Sequence, residues 1–322
     1  MKKVVWRALR LVCALLLAAL LSGCVSNMIK ENETYEALPQ IDPEDGVARE
    51  TEASLFFRLG DEPCLLQVKR TVQIRANERA EMAVMRSLLA GPSSFYGNLD
   101  TPFPEGTRMV SLSLDGGILY VTMNRAFLDP MPGAKTREEI DLARRLSVYA
   151  IVNSLMSVGN ADSVLLLVDL TGSGVGTRVQ RAMLGLSSSE TTDSQLVEPM
   201  RFDGTVVADA GKIVGYALEH IRQREYEQAY TYLAENEGGA LQKPDYAQFE
   251  TDLSTLGDLE EYKVNSFAMA EDGLSAEAQV DLVFRYSEDG VQKKATNATV
   301  KLQWEGEMLK IGYTSLWMLL QR

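Results

Sequence analysis

The chain has 322 residues, of which 46% are hydrophobic and 24% charged. These are ordinary globular proportions, and they exclude a disordered, collagen-like or polytopic membrane protein; the length suits about two domains. The formal charge is -13, and four basic residues (Lys2, Lys3, Arg7, Arg10) lie in the first ten, so a body beginning at residue 24 carries -17. Such an acidic surface repels phosphate backbones and argues against nucleic acid as a partner. One histidine, His220, and three cysteines, Cys13, Cys24 and Cys64, exclude Cys/His zinc sites and leave one histidine for any Ser-His-Asp or Cys-His arrangement.

The amino terminus reads as an address. A basic stretch, Met1 to Arg10, precedes an eleven-residue apolar run, Leu11 to Leu21. A membrane-spanning helix needs about 20 apolar residues, so this run fits a secretory signal. It ends in Leu21-Ser22-Gly23-Cys24, which resembles the lipobox of bacterial lipoproteins. The resemblance implies cleavage before Cys24, a diacylglyceryl thioether on that sulfur and a place on the outer face of the cytoplasmic membrane. Two or three acyl chains, at about 0.8 kcal/mol per buried CH2, make a lasting anchor. With Cys24 acylated, Cys64 has no disulfide partner within the mature chain. It borders acidic residues rather than the cationic setting a reactive thiol needs, and reads as a small buried side chain.

Residues 24–53 are acidic, with Pro39 and Pro43, and predict a flexible tether. Residues 184–204, with Ser187-Ser188-Ser189 and Thr191-Thr192, predict a linker. Two globular segments remain, bounded as 54–203 and 204–322, and each has enough patterned sequence to be expected to fold alone.

In the first segment, Ser54 to Leu59 and Leu65 to Val72 predict strands. A helix follows, capped by Asn77 and stopped by Gly91-Pro92, with Met82, Met85 and Leu89 on one face. Val110, Leu112 and Leu114 alternate up to Asp115-Gly116-Gly117, and Leu119, Val121 and Met123 alternate back, which predicts a hairpin. Thr136-Arg137-Glu138-Glu139 is a capping box for a long helix whose inner face carries Ala143, Ser147, Ile151 and Leu155. Val164 to Val168 is continuously apolar, as a strand buried on both faces should be. The expectation is one sheet with two helices packed on it.

These landmarks resemble the GerMN domain of sporulation and spore germination proteins. The resemblance rests on Leu55-Phe56-Phe57 in the opening strand, Leu88-Leu89-Ala90-Gly91-Pro92 at the helix stop and Pro104-Glu105-Gly106-Thr107 before the hairpin. It continues through Asn124-Arg125-Ala126-Phe127-Leu128, Ile151-Val152-Asn153-Ser154-Leu155 and the Val164–Asp169 strand. Asn124 stands where the family usually has an acid and Ser154 where it has threonine; Thr171 to Ser194 is a longer connection than usual. The family implies a compact α/β module that packs side by side with others, and points to sporulation or envelope assembly.

The second segment opens with helices: Ile213, Ala217 and Ile221 share a face, Glu225 to Leu233 follows, and a third runs near Tyr246 to Leu256. Ala276 to Tyr286, Ala298 to Trp304 and Met308 to Leu316 predict antiparallel strands with turns at Asp289-Gly290 and Glu305-Gly306-Glu307. Helices before an antiparallel sheet make an α+β pattern. It is similar to the NTF2-like cone, in which a curved sheet wraps helices.

Candidate reactive groups are sparse. Gly172-Ser173-Gly174-Val175-Gly176 follows a strand but lacks the Lys-Ser/Thr of a P-loop and the spacing of GxGxxG. His220 reads as a rim histidine. Tyr216, Tyr226, Tyr230, Asp252 and Asp281 are the groups from which an NTF2-like cone would assemble an acid-base pair, but no spacing fixes one. Asp258-Leu259-Glu260-Glu261 reads as a solvated face, short of the ligands a calcium site needs. No catalytic, cofactor or metal residue is expected; Cys24 alone is a site, for lipid. The reading is a non-enzymatic envelope scaffold that contacts envelope proteins, or copies of itself, through helix positions such as Arg144 and Arg145. The alternative is a lipoprotein holding a cell-wall fragment or small molecule in its C-terminal cone.

Overall fold

In the first segment, strands β1 (Arg49–Leu59) and β2 (Leu65–Ile74) pair antiparallel from Arg49–Ile74 to Arg58–Leu65. The computed structural model describes residues 49–94, 96–187, 194–235, 242–287 and 290–321. The stretch read as a signal peptide, Cys24, the part of the expected tether up to residue 48, residues 188–193 of the expected linker and Asp289 lie outside those ranges. Pairing begins five residues before the predicted start of β1, because Arg49 to Ala53 continue the ladder opposite Arg70 to Ile74, four of them with polar side chains. Those five residues therefore belong to the fold rather than to the tether.

The helix α1 spans Ala80–Leu89. Asn77 lies before it, at φ 62 in the preceding turn, and Arg79 occupies the N-cap without a side-chain cap bond. The buried face is Glu81, Val84, Met85 and Leu88 rather than the predicted Met82 stripe, and Met82 is 37% exposed. Positions 81, 84, 85 and 88, related by steps of three and four (81/84, 81/85, 84/88, 85/88), satisfy the helical period equally well; Glu81 is admitted inside because Asn160 Nδ2 donates to it at 3.0 Å.

Strands β3 (Leu99–Asp100), β4 (Met109–Asp115), β5 (Ile118–Asn124) and β6 (Ser163–Asp169), with α2 (Arg137–Met156), complete the segment. Thr136 caps α2 in a full capping box with Glu139. The strands form two three-stranded sheets, β2-β1-β3 and β4-β5-β6, where one sheet was expected. The reason is the α2 crossover. It returns β6 parallel to β5, while the other edge of β1 is taken by the short β3. Helix α2 bridges the two sheets with its apolar face. Ser154 Oγ accepts the backbone N–H of Phe56 at 3.1 Å, and Ile151, Val152 and Leu155 are buried.

The second segment runs α3 (Ala210–Gln223), α4 (Tyr226–Thr231), α5 (Tyr246–Leu256), β7 (Gly257–Met269), β8 (Ser275–Tyr286), β9 (Gln292–Glu305), β10 (Met308–Ile311) and α6 (Tyr313–Leu320). Asp209 caps α3 and Asp245 caps α5 through their carboxylates. The sheet is antiparallel in the order β10-β9-β8-β7. Strand β7 begins within the acidic stretch read as a solvated face; Asp258 and Glu260 point outward to Arg224 and Arg285, while Leu259 is buried. Met308 to Leu316 is not one strand. Pairing with β9 stops at Ile311, and beyond Gly312 the buried Tyr313, Leu316, Leu319 and Leu320 recur at helical spacing.

Arg49–Arg322 form one compact unit, and the two segments meet along a junction within it. Ala208 N–H donates to Leu65 O at 2.7 Å and Lys69 N–H to Glu307 O at 2.9 Å. Arg70 donates to both carboxylate oxygens of Glu307 at 3.0 Å, and to the carbonyl of Gly91 at 3.0 Å. The Glu307 N–H donates to Tyr96 Oη at 2.9 Å. None of the described helices is long and apolar enough to cross a membrane.

Candidate functional site

The residues that carry the first segment's motifs hold backbone rather than project reactive groups. Gly91 sits at φ 86 and Gly106 at φ 76, in the left-handed region that glycine adopts without strain. The Asn124 side chain accepts from Arg108 N–H at 3.0 Å and donates to Gly106 O at 2.9 Å. Asn153 is fully buried; its amide donates to Asp203 O at 3.0 Å and accepts from Asp203 N–H at 2.9 Å. It thereby pins the start of the link to the second segment against α2.

The glycine-rich turn after β6 is also spent internally. Asp169 Oδ1 accepts N–H bonds from Thr171, Gly172 and Ser173, and its Oδ2 accepts from Gly174 at 2.8 Å. These bonds, the one from Gly174 foremost, hold the carboxyl below its ordinary range. The amides that would cradle a phosphate already cradle this side chain.

At the junction, the turn between β1 and β2 inserts Glu62 and Cys64 toward α3. His220 is flanked by two carboxylates: Nδ1 lies 2.7 Å from Glu225 and Nε2 lies 3.3 Å from Glu62 of the first segment. The Glu62 hydrogen bond is the largest cause raising the imidazole above its ordinary value, burial opposes it, and Glu225 adds to it. The Cys64 thiol is buried and its pKa is pushed up to about 11, with Tyr216 as its hydrogen-bonding neighbour; it is a packed thiol rather than a nucleophile. Beside this cluster lies a cavity of about 350 Å³ lined from both segments by residues that include Asp61, Glu62, Asn98, His220, Glu227 and Tyr232.

A second cavity, about 290 Å³ and mostly apolar, lies on the same junction. Leu66 of β2, Phe202 of the link, Val207 ahead of α3, Phe267 and Met269 of β7, and Trp304 of β9 line it. Phe202, Phe267 and Met269 are about half exposed, at 50%, 47% and 47%.

Residues 54–169 match the family model named Germane, described as sporulation and spore germination. This stretch is a GerMN-type domain. Among solved structures, the chain is similar to the tandem GerMN domains of the sporulation protein GerM from Bacillus subtilis, at 17% identity and TM-score 0.32. That match covers 50% of this chain and 48% of GerM. A Clostridium perfringens chain provisionally described as a lipoprotein matches at 15% identity and TM-score 0.24, over 38% of this chain and 75% of its own. A Xanthomonas campestris chain provisionally described as a polyketide cyclase matches at 15% identity and TM-score 0.20, over 34% and 94%. No curated protein matches significantly.

The GerMN-type domain supplies Asp61, Glu62, Cys64, Leu66, Lys69, Arg70, Tyr96 and Asn98 to the junction. The five groups named as raw material for an acid-base pair, for which no spacing fixed a pair, have separate partners. Tyr216 faces Cys64, Tyr230 Oη donates to Pro244 O at 2.7 Å, and Tyr226 is buried. Asp252 accepts from Gln248 at 2.5 Å on α5. Asp281 lies on the side of β8 opposite its buried residues, held by Asn265 and the Asn297 N–H. Of the two arginines proposed as free contacts, Arg144 donates to Leu128 O at 2.7 Å, and only Arg145 is exposed. Sequence reading missed the Glu62–His220–Glu225 cluster, since only tertiary packing sets Glu62 beside His220. Among the described residues no group of three or more His, Cys, Asp or Glu is placed to hold a metal.

Proposed function

We propose that this chain is a lipid-anchored, extracytoplasmic docking module. Its GerMN-type domain and C-terminal segment together present a non-enzymatic surface for sporulation- or germination-related envelope assembly. The observation that carries the reading is the use of the GerMN motif residues. Gly91, Gly106, Asn124 and Asn153 shape turns or close internal hydrogen bonds, so what the motif maintains is a surface. The half-exposed aromatic residues at the junction fit that reading, since contiguous apolar surface marks interaction sites. Lipid on Cys24 and the outer face of the cytoplasmic membrane complete it, on the strength of the lipobox. The C-terminal segment, helices followed by an antiparallel sheet, is read as NTF2-like.

The test is crosslinking from Arg145 and Phe267 in intact cells, followed by identification of the captured proteins. Capture of defined envelope proteins, lost in Cys24→Ala, supports the module. Turnover of purified cell wall by the intact chain, abolished by one Asp or Glu substitution, overturns it in favour of an enzyme. The second reading, a small-molecule binder, draws on the apolar cavity between Leu66 and Trp304. Saturable binding of a cell-wall fragment, lost in Trp304→Ala, would favour it.

A further inference from the structure

His220 is the only histidine of the chain, and it is placed where one proton decides a contact between the two segments. Its ring lies between Glu225, which flanks its own helix, and Glu62, which the GerMN-type domain delivers on the β1–β2 turn. An imidazolium donates from both nitrogens; a neutral imidazole donates from one and presents a lone pair from the other. Loss of the proton therefore leaves one of two carboxylates facing a lone pair. The contact to Glu62 at 3.3 Å is longer than that to Glu225 at 2.7 Å, so the bond across the junction is the one that yields.

We propose that Glu62, His220 and Glu225 form a pH-sensitive clasp that holds the β1–β2 turn of the GerMN-type domain against α3 when His220 is charged, and releases it when His220 is neutral. The surroundings leave the histidine as the group that switches. On the β1–β2 turn, Asp61 and Glu62 add negative charge and Cys64 stays a thiol. On α3, Tyr216 faces Cys64 and is held neutral by burial, while Glu219 is engaged by Arg222 and Gln223. On α4 and its flanks, Glu225 and Glu227 add charge; Tyr232 packs its ring 5.8 Å from the imidazole and is kept neutral by burial. From β7, burial and Glu219 push Tyr262 up to about 12. Among the described residues no lysine or arginine lines the adjoining cavity, and Lys212, at the start of α3, is held by the carbonyls of Thr205 and Val207.

The sign follows from linkage. The docked histidine binds its proton more tightly than an undocked one, and the largest cause is Glu62 across the junction. The clasp is fully formed below the ordinary histidine value of 6.5 and is lost as pH rises through the raised value. Release is local. The far end of the junction is held instead by the ion pair of Arg70 with Glu307, and the one histidine of the chain is not part of it.

The experiment uses the intact chain in detergent and reads two amides by hydrogen exchange, corrected for intrinsic chemical rates. Ala208 N–H, bonded to Leu65 O, reports the clasp end; Lys69 N–H, bonded to Glu307 O, reports the far end. The single imidazole is titrated by NMR in the same sample. As His220 deprotonates, protection at Ala208 should fall several-fold while Lys69 stays constant. In His220→Gln the Ala208 response should vanish, and in Glu62→Gln the imidazole midpoint should move down toward that of a free histidine. Constant protection at Ala208 across the titration, the same loss in His220→Gln, or an unmoved midpoint in Glu62→Gln overturns the clasp. The Glu62→Gln arm decides the matter if His220→Gln does not fold.

Discussion

Asn153, fully buried on α2, holds both the carbonyl and the N–H of Asp203, fifty residues further along the chain. Few side chains can do this, because it requires a donor and an acceptor on one short planar group. Asn153→Ala leaves two backbone groups without their partner, at a cost of about 1–3 kcal/mol. Asn153→Asp keeps the acceptor and loses the donor. Urea denaturation should show both variants destabilised. An unchanged midpoint for the alanine variant would mean that the link to the second segment is held elsewhere.

Arg70 and Glu307 tie the segments by a bidentate, half-buried ion pair. Charge-assisted hydrogen bonds of this kind contribute about 1.5–3 kcal/mol. Arg70→Ala and Glu307→Ala should each destabilise the chain, and the double variant should cost less than the two together. A coupling near zero in the double-mutant cycle would show that the pair contributes nothing to the junction.

Gly306 turns β9 into β10 at φ 60, and a Cβ there would lie 2.7 Å from Tyr96 Oη. Gly306→Ala therefore meets both a strained backbone and a neighbour from the other segment, and should lose roughly 1–3 kcal/mol. Tyr96→Phe removes the hydroxyl that the new methyl would touch, together with the bond it accepts from Glu307 N–H, so Gly306→Ala should cost less in the Tyr96→Phe background than in the natural chain. Equal loss with and without the hydroxyl would assign the whole effect to the backbone.

Asp169 has its carboxyl depressed by the N–H groups of the following turn. A depressed carboxylate contributes stability that is present above its unfolded pKa and lost as pH falls through the folded one. Acid should therefore loosen residues 171–174 before the core. Protection of the amides in that turn, corrected for intrinsic chemical rates, should fall at low pH in the natural chain and be low at every pH in Asp169→Ala. A turn equally protected in the variant would show that the carboxylate does not organise it.

Local patterns were legible in the sequence wherever their cause was local. The capping box at Thr136, the Asp115-Gly116-Gly117 hairpin, the buried β6 and the GerMN motif could all be read from spacing, since neighbouring residues set backbone preference and amphipathic period. The α1 face was misread because two spacings, 82-85-89 and 81-84-85-88, satisfy one period, and only the packed partners choose between them. The end of β10 was missed for a related reason: an apolar run suits a strand or a helix until the length of the paired neighbour stops it.

What the sequence alone determined is the α+β character and the GerMN-type domain, both of which depend on residue type and order along the chain. Tertiary structure alone decided that the sheet of the first segment divides in two around α2. It also decided that Arg70 reaches Glu307, 237 residues away, and that Glu62 meets the one histidine. Such pairs join positions with no common period or motif. They exist because burying apolar surface brings distant segments together and obliges the polar groups at their junction to find partners there.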